Sequence, residues 1–328
     1  MGKCRLGIIG TGRIAKRFVA ECRFVNNVNI EAIYNPHKDS AESFVRLLWQ
    51  ASNDCPLSFT QLGDLWEVVD AVYIASPHET HYYYIIEALM HGKHVLCEKP
   101  MCLSAAEAQK AFAIAASRGL ILIEALKTAY CPGFRQVLDV LDDGVIGKPH
   151  YIEACFTKLE SPNNRELTDI QYGGSFTELG SYVLLPMLAI FGNAYTSFDF
   201  KSITDQRGLD IFTKTNFSYD NSIATLTCGL GVKSEGRLLI AGENGYIIVP
   251  APWWKTSHFE AHFEEPSEKI DYDCDFEGDG LRYEISYFID RIFDGYRDQT
   301  IENISVTMAG VMSEFLSSRG IDRYEKTQ

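Results

Sequence analysis

Gly10-Thr11-Gly12-Arg13-Ile14-Ala15 is the first segment whose residue types and spacing could do chemistry. It follows an apolar run directly and opens an amphipathic one, the setting in which such a turn cradles a dinucleotide. Gly10 permits the tight turn, Gly12 lets the backbone approach a pyrophosphate, and Ala15 allows close helix–strand packing. Thr11, Arg13 and Ile14 complete the turn, where the free N–H groups of a helix start favour an anion. The next apolar run, Ile30–Tyr34, ends in Asn35 rather than in the carboxylate that would bind both ribose hydroxyls. Asn35 can hydrogen-bond a ribose without repelling a 2′-phosphate, and Lys38 and Arg13 offer positive charge nearby, so the pattern leans to NADP over NAD.

Lys99 is the second candidate. It follows the apolar run His94–Cys97 and precedes Pro100, which fixes its stem at the carboxyl end of a strand, where open α/β sheets bind ligands. A partly buried ammonium there can orient a substrate hydroxyl and stabilise negative charge developing on oxygen. Lys127, just past the run Ile121–Glu124, could reach the same region. Glu178 and Tyr182 are four apart in a helical pattern and share one face. The histidines do not make a metal centre: His78 and His81 are three apart at a strand-to-helix turn, not four apart on a helix. His258 and His262 could share one face of a strand, yet no cysteine or third histidine stands near, so no metal is expected. The nine cysteines contain no C-x-x-C pair, and a reducing cytoplasm is expected.

The elements that must position these groups follow from periodicity. Up to residue 123, apolar runs at Arg5–Ile9, Ile30–Tyr34, Ala71–Ala75, His94–Cys97 and Ile121–Glu124 alternate with helical patterns at Ala41–Ala51, Tyr82–His91 and Ser104–Arg118. That alternation predicts a parallel sheet built from β-α-β units. Residues 124–328 read differently, as an α+β domain with a mostly antiparallel open sheet. Helical patterns at Phe134–Asp142 and Ser175–Phe191 precede short strand runs at Ser197–Ile203, Ile211–Phe217, Ile223–Cys228, Arg237–Ala241 and Tyr246–Val249. Asp220-Asn221 and Asn244-Gly245 mark hairpin turns between them. Helices over Tyr283–Tyr296 and Val306–Ser317 close the chain.

Three ordered motifs carry a family resemblance. Ala75-Ser76-Pro77-His78-Glu79-Thr80-His81 is followed by Gly92-Lys93-His94-Val95-Leu96-Cys97-Glu98-Lys99-Pro100 and then by Gly173-Gly174-Ser175-Phe176-Thr177-Glu178-Leu179-Gly180-Ser181-Tyr182. Together with the glycine turn they resemble the Gfo/Idh/MocA oxidoreductases from residue 6 to about residue 191. The resemblance implies an N-terminal Rossmann domain over 1–123 and a substrate-binding, oligomerising domain over 124–328. It implies cofactor contacts from Ser76, Pro77, His78 and His81, a ribose contact from Glu98, and assistance in catalysis from Lys99. Two departures matter: Glu178 stands where the family has Asp, and Tyr182 where it has His. A tyrosine there resembles the glucose–fructose oxidoreductase and dimeric dihydrodiol dehydrogenase branch, in which it exchanges the substrate proton. A free phenol titrates near about 10, so Tyr182 needs positive neighbours to work near neutrality. Ala129 replaces an arginine common among relatives.

The 328 residues suffice for two domains. With 30 Lys and Arg against 44 Asp and Glu, the net charge of −14 disfavours nucleic acid and anionic membranes as partners. No apolar run is long enough to span a bilayer and no signal peptide is expected. The expected function is hydride transfer between NAD(P) and a sugar, polyol or cyclic alcohol, by a homodimer or larger homo-oligomer. The rivals are a non-catalytic NAD(P) sensor and an NAD-dependent glycosidase of the same fold. Trp253 and Trp254 are expected in buried packing or an oligomer interface rather than against a sugar ring.

Overall fold

The computed structural model describes residues 2–50 and 55–319; Ala51, the predicted end of the second helix, lies outside them. The described residues divide into two compact units, one holding the chain up to Tyr130 with Glu277–Val306, the other Cys131–Phe276 with the chain from Thr307.

The first unit runs β1 (Cys4–Ile9), α1 (Arg13–Cys22), β2 (Val28–Tyr34), α2 (Lys38–Leu48), β3 (Leu57–Phe59), α3 (Leu62–Val68), β4 (Ala71–Ile74), α4 (His81–Met90), β5 (His94–Glu98), α5 (Ala105–Ser117) and β6 (Leu122–Ala125). Its strands form one sheet in the order β3-β2-β1-β4-β5-β6, every pair parallel. β4 and β6 are buried at every residue, as a parallel sheet covered on both faces demands. The Ser104 side chain caps α5, accepting from the Glu107 N–H at 3.3 Å. The sixth strand, β3, was not expected. It is a three-residue edge strand, too short to show any periodicity.

The second unit contains α6 (Pro132–Asp142), β7 (Pro149–Thr157), α7 (Arg165–Thr168), α8 (Ser175–Phe191), β8 (Ser197–Thr204), β9 (Asp210–Ser218), β10 (Ile223–Gly229), β11 (Leu238–Gly242), β12 (Tyr246–Val249), β13 (His258–His262) and β14 (Lys269–Asp273). These strands make a second sheet, β14-β13-β12-β11-β7-β10-β9-β8. Every neighbouring pair is antiparallel except β7 and β10, which run parallel. Both predicted hairpin turns join paired strands, β9 to β10 and β11 to β12. α8 packs on β7, β9 and β10, so the fully buried Phe176, Phe217 and Leu226 belong to one core.

The observed units differ from a boundary at 123/124. The turn Lys127–Tyr130 is buried throughout and belongs with the first sheet. So does α9 (Leu281–Asp294), which buries Leu281, Glu284, Ile285, Phe288 and Ile289. That spacing is a single helical stripe, and it packs on α1 and on the 127–130 turn. The last helix, α10 (Gln299–Ser318), has its residues up to Val306 in the first unit and the rest in the second.

Candidate active site

In the first unit the glycine turn lies where the strand order reverses, between β1 and β4, the place where open sheets of this topology bind ligands. Gly10 has φ +104°, and a Cβ there would lie 2.5 Å from the Ala75 carbonyl oxygen. Only glycine fits this crossing of the two strand ends. Gly12 is the opposite case, since a Cβ would meet nothing within 4 Å. Gly12 caps α1 without any side-chain hydrogen bond, and no acidic residue stands in the first turn. The helix start is therefore open to an anion, and a dinucleotide pyrophosphate fits this cradle. Asn35 donates to the Thr11 hydroxyl at 2.8 Å and accepts from the His37 N–H at 2.9 Å, which ties the end of β2 to the turn. Lys38 is exposed, with its ammonium 3.7 Å from Glu42.

The motif after β4 is held by its own histidine. His81 is buried, with one ring nitrogen 2.9 Å from the Pro100 carbonyl oxygen and the other 2.9 Å from that of Ser76. Burial lowers the pKa of the ring, and in its neutral form the ring donates to one of these two carbonyls. These contacts place the His81 ring between the Ser76 turn and the turn after Lys99. His78 stacks on it at 5.6 Å, and Ser76 accepts from the Thr80 hydroxyl at 2.7 Å.

Lys99 stands half-buried just past β5, next to the buried Glu98. The Tyr73 hydroxyl donates to Glu98 at 2.5 Å, and Tyr73 in turn stacks on Phe18 of α1 at 3.6 Å. Burial pushes the Glu98 carboxyl up, against the opposing pull of Lys99, the Tyr73 hydroxyl and Lys127. Lys127 is itself buried and donates to the Asp279 carbonyl in the returning segment.

Two buried acids here escape sequence reasoning. Glu284 of α9 is 1% exposed, and burial together with the Glu98 charge pushes it well above the carboxylate range. Its signal was a glutamate on an otherwise apolar helical stripe. Glu124 of β6 accepts from the Met101 N–H at 3.0 Å, two residues beyond Lys99. Burial pushes Glu124 from 4.5 to about 7, against the Met101 N–H and the Ser305 hydroxyl. A folded-state pKa above the unfolded value means stability that is complete below the unfolded pKa and lost as pH rises through about 7. Glu124→Gln should therefore remove a loss of about 3 kcal/mol between about pH 5 and about pH 8. Urea melts of both proteins at the two pH values check this, and parallel pH dependences would contradict it.

In the second unit, α8 presents a narrow stripe. From Ser175 to Leu188 every residue is buried except Glu178 and Tyr182. The Tyr182 ring meets the edge of Phe156 at 5.1 Å, and Phe156 stacks flat on Trp254 at 3.5 Å. Trp253 is fully buried and donates from its indole N–H to the Cys155 carbonyl at 2.9 Å, the expected packing role. One group with metal-ligand geometry occurs among the described residues, His258, Glu260 and Asp271 across β13 and β14. The Lys269 ammonium already lies 2.7 Å from Glu260 and 2.9 Å from Asp271, so the chain's own cation compensates these carboxylates.

Residues 4–126 match the family model described as "Oxidoreductase family, NAD-binding Rossmann fold", and residues 134–248 match the "GFO/IDH/MocA C-terminal domain". The chain belongs to the Gfo/Idh/MocA family. It is accordingly an NAD(P)-binding oxidoreductase. Among Gfo/Idh/MocA relatives, scyllo-inositol 2-dehydrogenase (NADP(+)) IolU of Bacillus subtilis (strain 168) is 28% identical over 255 residues, 75% of each chain. Human trans-1,2-dihydrobenzene-1,2-diol dehydrogenase is 25% identical over 331 residues, 97% of each chain. The solved structure of KijD10, a 3-ketoreductase from Actinomadura kijaniata in complex with NADP and TDP-benzene, shares the fold at a TM-score of 0.81. It covers 95% of this chain and 96% of that one, at 24% identity. No helix among the described residues is long and apolar enough to cross a membrane.

Proposed function

We propose that the protein transfers hydride between NADP and a ring carbon of a polyol or sugar, interconverting the secondary alcohol and its ketone, with Tyr182 as acid/base and Lys99 assisting. The observation that carries this reading is the exposure pattern of α8, in which Glu178 and Tyr182 alone escape burial along fourteen consecutive residues, Ser175–Leu188. Along this buried stretch the helix keeps two polar side chains accessible, four apart on one face. The names of IolU and of the ketoreductase, one an inositol and one a ketone enzyme, support the substrate class.

The nicotinamide, when bound, supplies or accepts the hydride. In the reductive direction the Tyr182 hydroxyl gives its proton to the carbonyl oxygen, and in the oxidative direction it takes the hydroxyl proton back. Lys99 assists by stabilising the negative charge that develops on the substrate oxygen. Glu178 accepts from a neighbouring substrate hydroxyl and sets the ring's orientation. Gly10, Thr11, Gly12, Arg13 and Ile14 hold the pyrophosphate, Glu98 accepts from the nicotinamide ribose, and Ser76, Pro77 and His78 line the cofactor. Lys127 holds the loop around Asp279 in place behind them. Asn35 in place of a carboxylate, with the exposed Lys38 nearby in sequence, supports NADP over NAD. The outward residues Ile223 and Tyr246 of the second sheet, 54% and 39% exposed, fit a homo-oligomer contact.

A panel of inositols, sugars and cyclic diols with their ketones, assayed with each reduced and oxidised nicotinamide, tests the proposal. Turnover of at least one ring polyol or its ketone, faster with the phosphorylated cofactor, is expected. Preference for NADH would overturn the cofactor assignment, and bond hydrolysis without cofactor turnover would overturn the reaction.

A further inference from the structure

The start of α8 is held by groups distant in sequence. Gly174, the residue before the helix, has no side chain to cap it. The buried carboxylate of Asp210, the first residue of β9, does so instead, accepting from the Phe176 N–H at 2.8 Å. The same oxygen accepts from the Thr213 hydroxyl at 3.0 Å. The other carboxylate oxygen is 3.4 Å from the Arg319 guanidinium, just past α10. Arg319 also donates to the Gly173 carbonyl at 3.1 Å and to the Ile170 carbonyl at 2.9 Å. A Cβ on Gly174, which has φ +105°, would lie 2.0 Å from Asp210 Oδ1. The second glycine of the motif is therefore the space that the carboxylate occupies. Ser175 completes the clamp, donating to the Asp210 carbonyl at 3.2 Å and accepting from the Leu230 N–H at 3.0 Å.

We propose that Asp210 and Arg319 are positioning residues for the reaction, fixing the rotational phase of α8 so that Glu178 and Tyr182 face the substrate together. The inference rests on the reading of Tyr182 as acid/base. Its physical basis is helical geometry: a slip of one residue turns the helix by about 100° and carries a side chain off its stripe. A displacement of about 1 Å at the reacting atoms already costs on the order of 100-fold in rate. Burial pushes Asp210 up to about 6, against the Phe176 N–H and Arg319, so the carboxylate is kept in a costly place for the contacts it makes.

Asp210→Ala removes the cap and the ion pair, whereas Asp210→Asn keeps an oxygen for the Phe176 N–H. The expected result is a fall in kcat of about 30-fold for Asp210→Ala, with the Kd for NADPH within about twofold of wild type. Asp210→Asn should recover kcat to within about threefold. Wild-type kcat in Asp210→Ala would overturn the inference, and so would an equal loss in both variants accompanied by loss of NADPH binding, which marks a purely structural role. Should Asp210→Ala not fold, Arg319→Met takes its place, with a fall of about tenfold in kcat expected and an unchanged kcat contradicting the inference. Tyr182→Phe assayed in parallel separates the two readings. An active Tyr182→Phe sinks the acid–base assignment, while an inactive one beside a fully active Asp210→Ala sinks the positioning inference alone.

Discussion

Tyr182→Phe is expected to lower kcat by on the order of 10²–10⁴-fold while the Kd for NADPH stays at its wild-type value. The substitution removes one oxygen and keeps the ring, so the edge contact with Phe156 at 5.1 Å survives and α8 has no reason to shift. The tyrosine is half-buried, and the ring that packs there is retained in the variant. Cofactor binding, which rests on the glycine turn of the first unit, should be untouched. The rate loss is then a loss of proton transfer. Steady-state kinetics with a fluorescence titration of NADPH separate the two quantities. Retained turnover would assign the proton to another group.

Lys99→Met is the second large effect, with kcat/KM down by about 10²–10³-fold. Methionine keeps the apolar character and approximate length of the lysine stem. What disappears is the ammonium that stabilises negative charge on the substrate oxygen. A second consequence is electrostatic. Lys99 is the largest of the influences that hold the buried Glu98 down against desolvation, so its removal pushes Glu98 further toward the neutral acid. A neutral Glu98 is a poorer acceptor for a ribose hydroxyl, and NADPH should bind several-fold more weakly as well. Lys99→Arg restores charge but not the compact ammonium geometry and should recover only part of the loss. Full activity in Lys99→Met would remove Lys99 from the reaction.

Most of the first unit was legible in the sequence because its signals are local. A glycine turn between an apolar run and a helical pattern is read from six neighbouring residues, and five of the six parallel strands are near-continuous apolar runs. The rest depends on contacts that no local pattern records. β7 is central to its sheet, yet its open face carries Tyr151 and Glu153, which blur the alternation, and its parallel pairing with β10 is set by residues about seventy positions away. β14, with Lys269, Asp271 and Asp273 on one face, lacks the apolar content of a strand and is held by pairing to β13. The site shows the same division. Lys99, Glu178 and Tyr182 stand in motifs. Asp210 is one acid among many until the fold brings it to the Phe176 N–H. Glu284 gains its environment only when α9 returns to the first sheet.

Deuterium tracing tests the central claim most directly. With NADPH carrying two deuterium atoms at C4 and the ketone that turns over, the account predicts one deuterium atom on the carbinol carbon of the product for each NADP formed. Product lacking deuterium, or formed while NADPH remains unchanged, would contradict it.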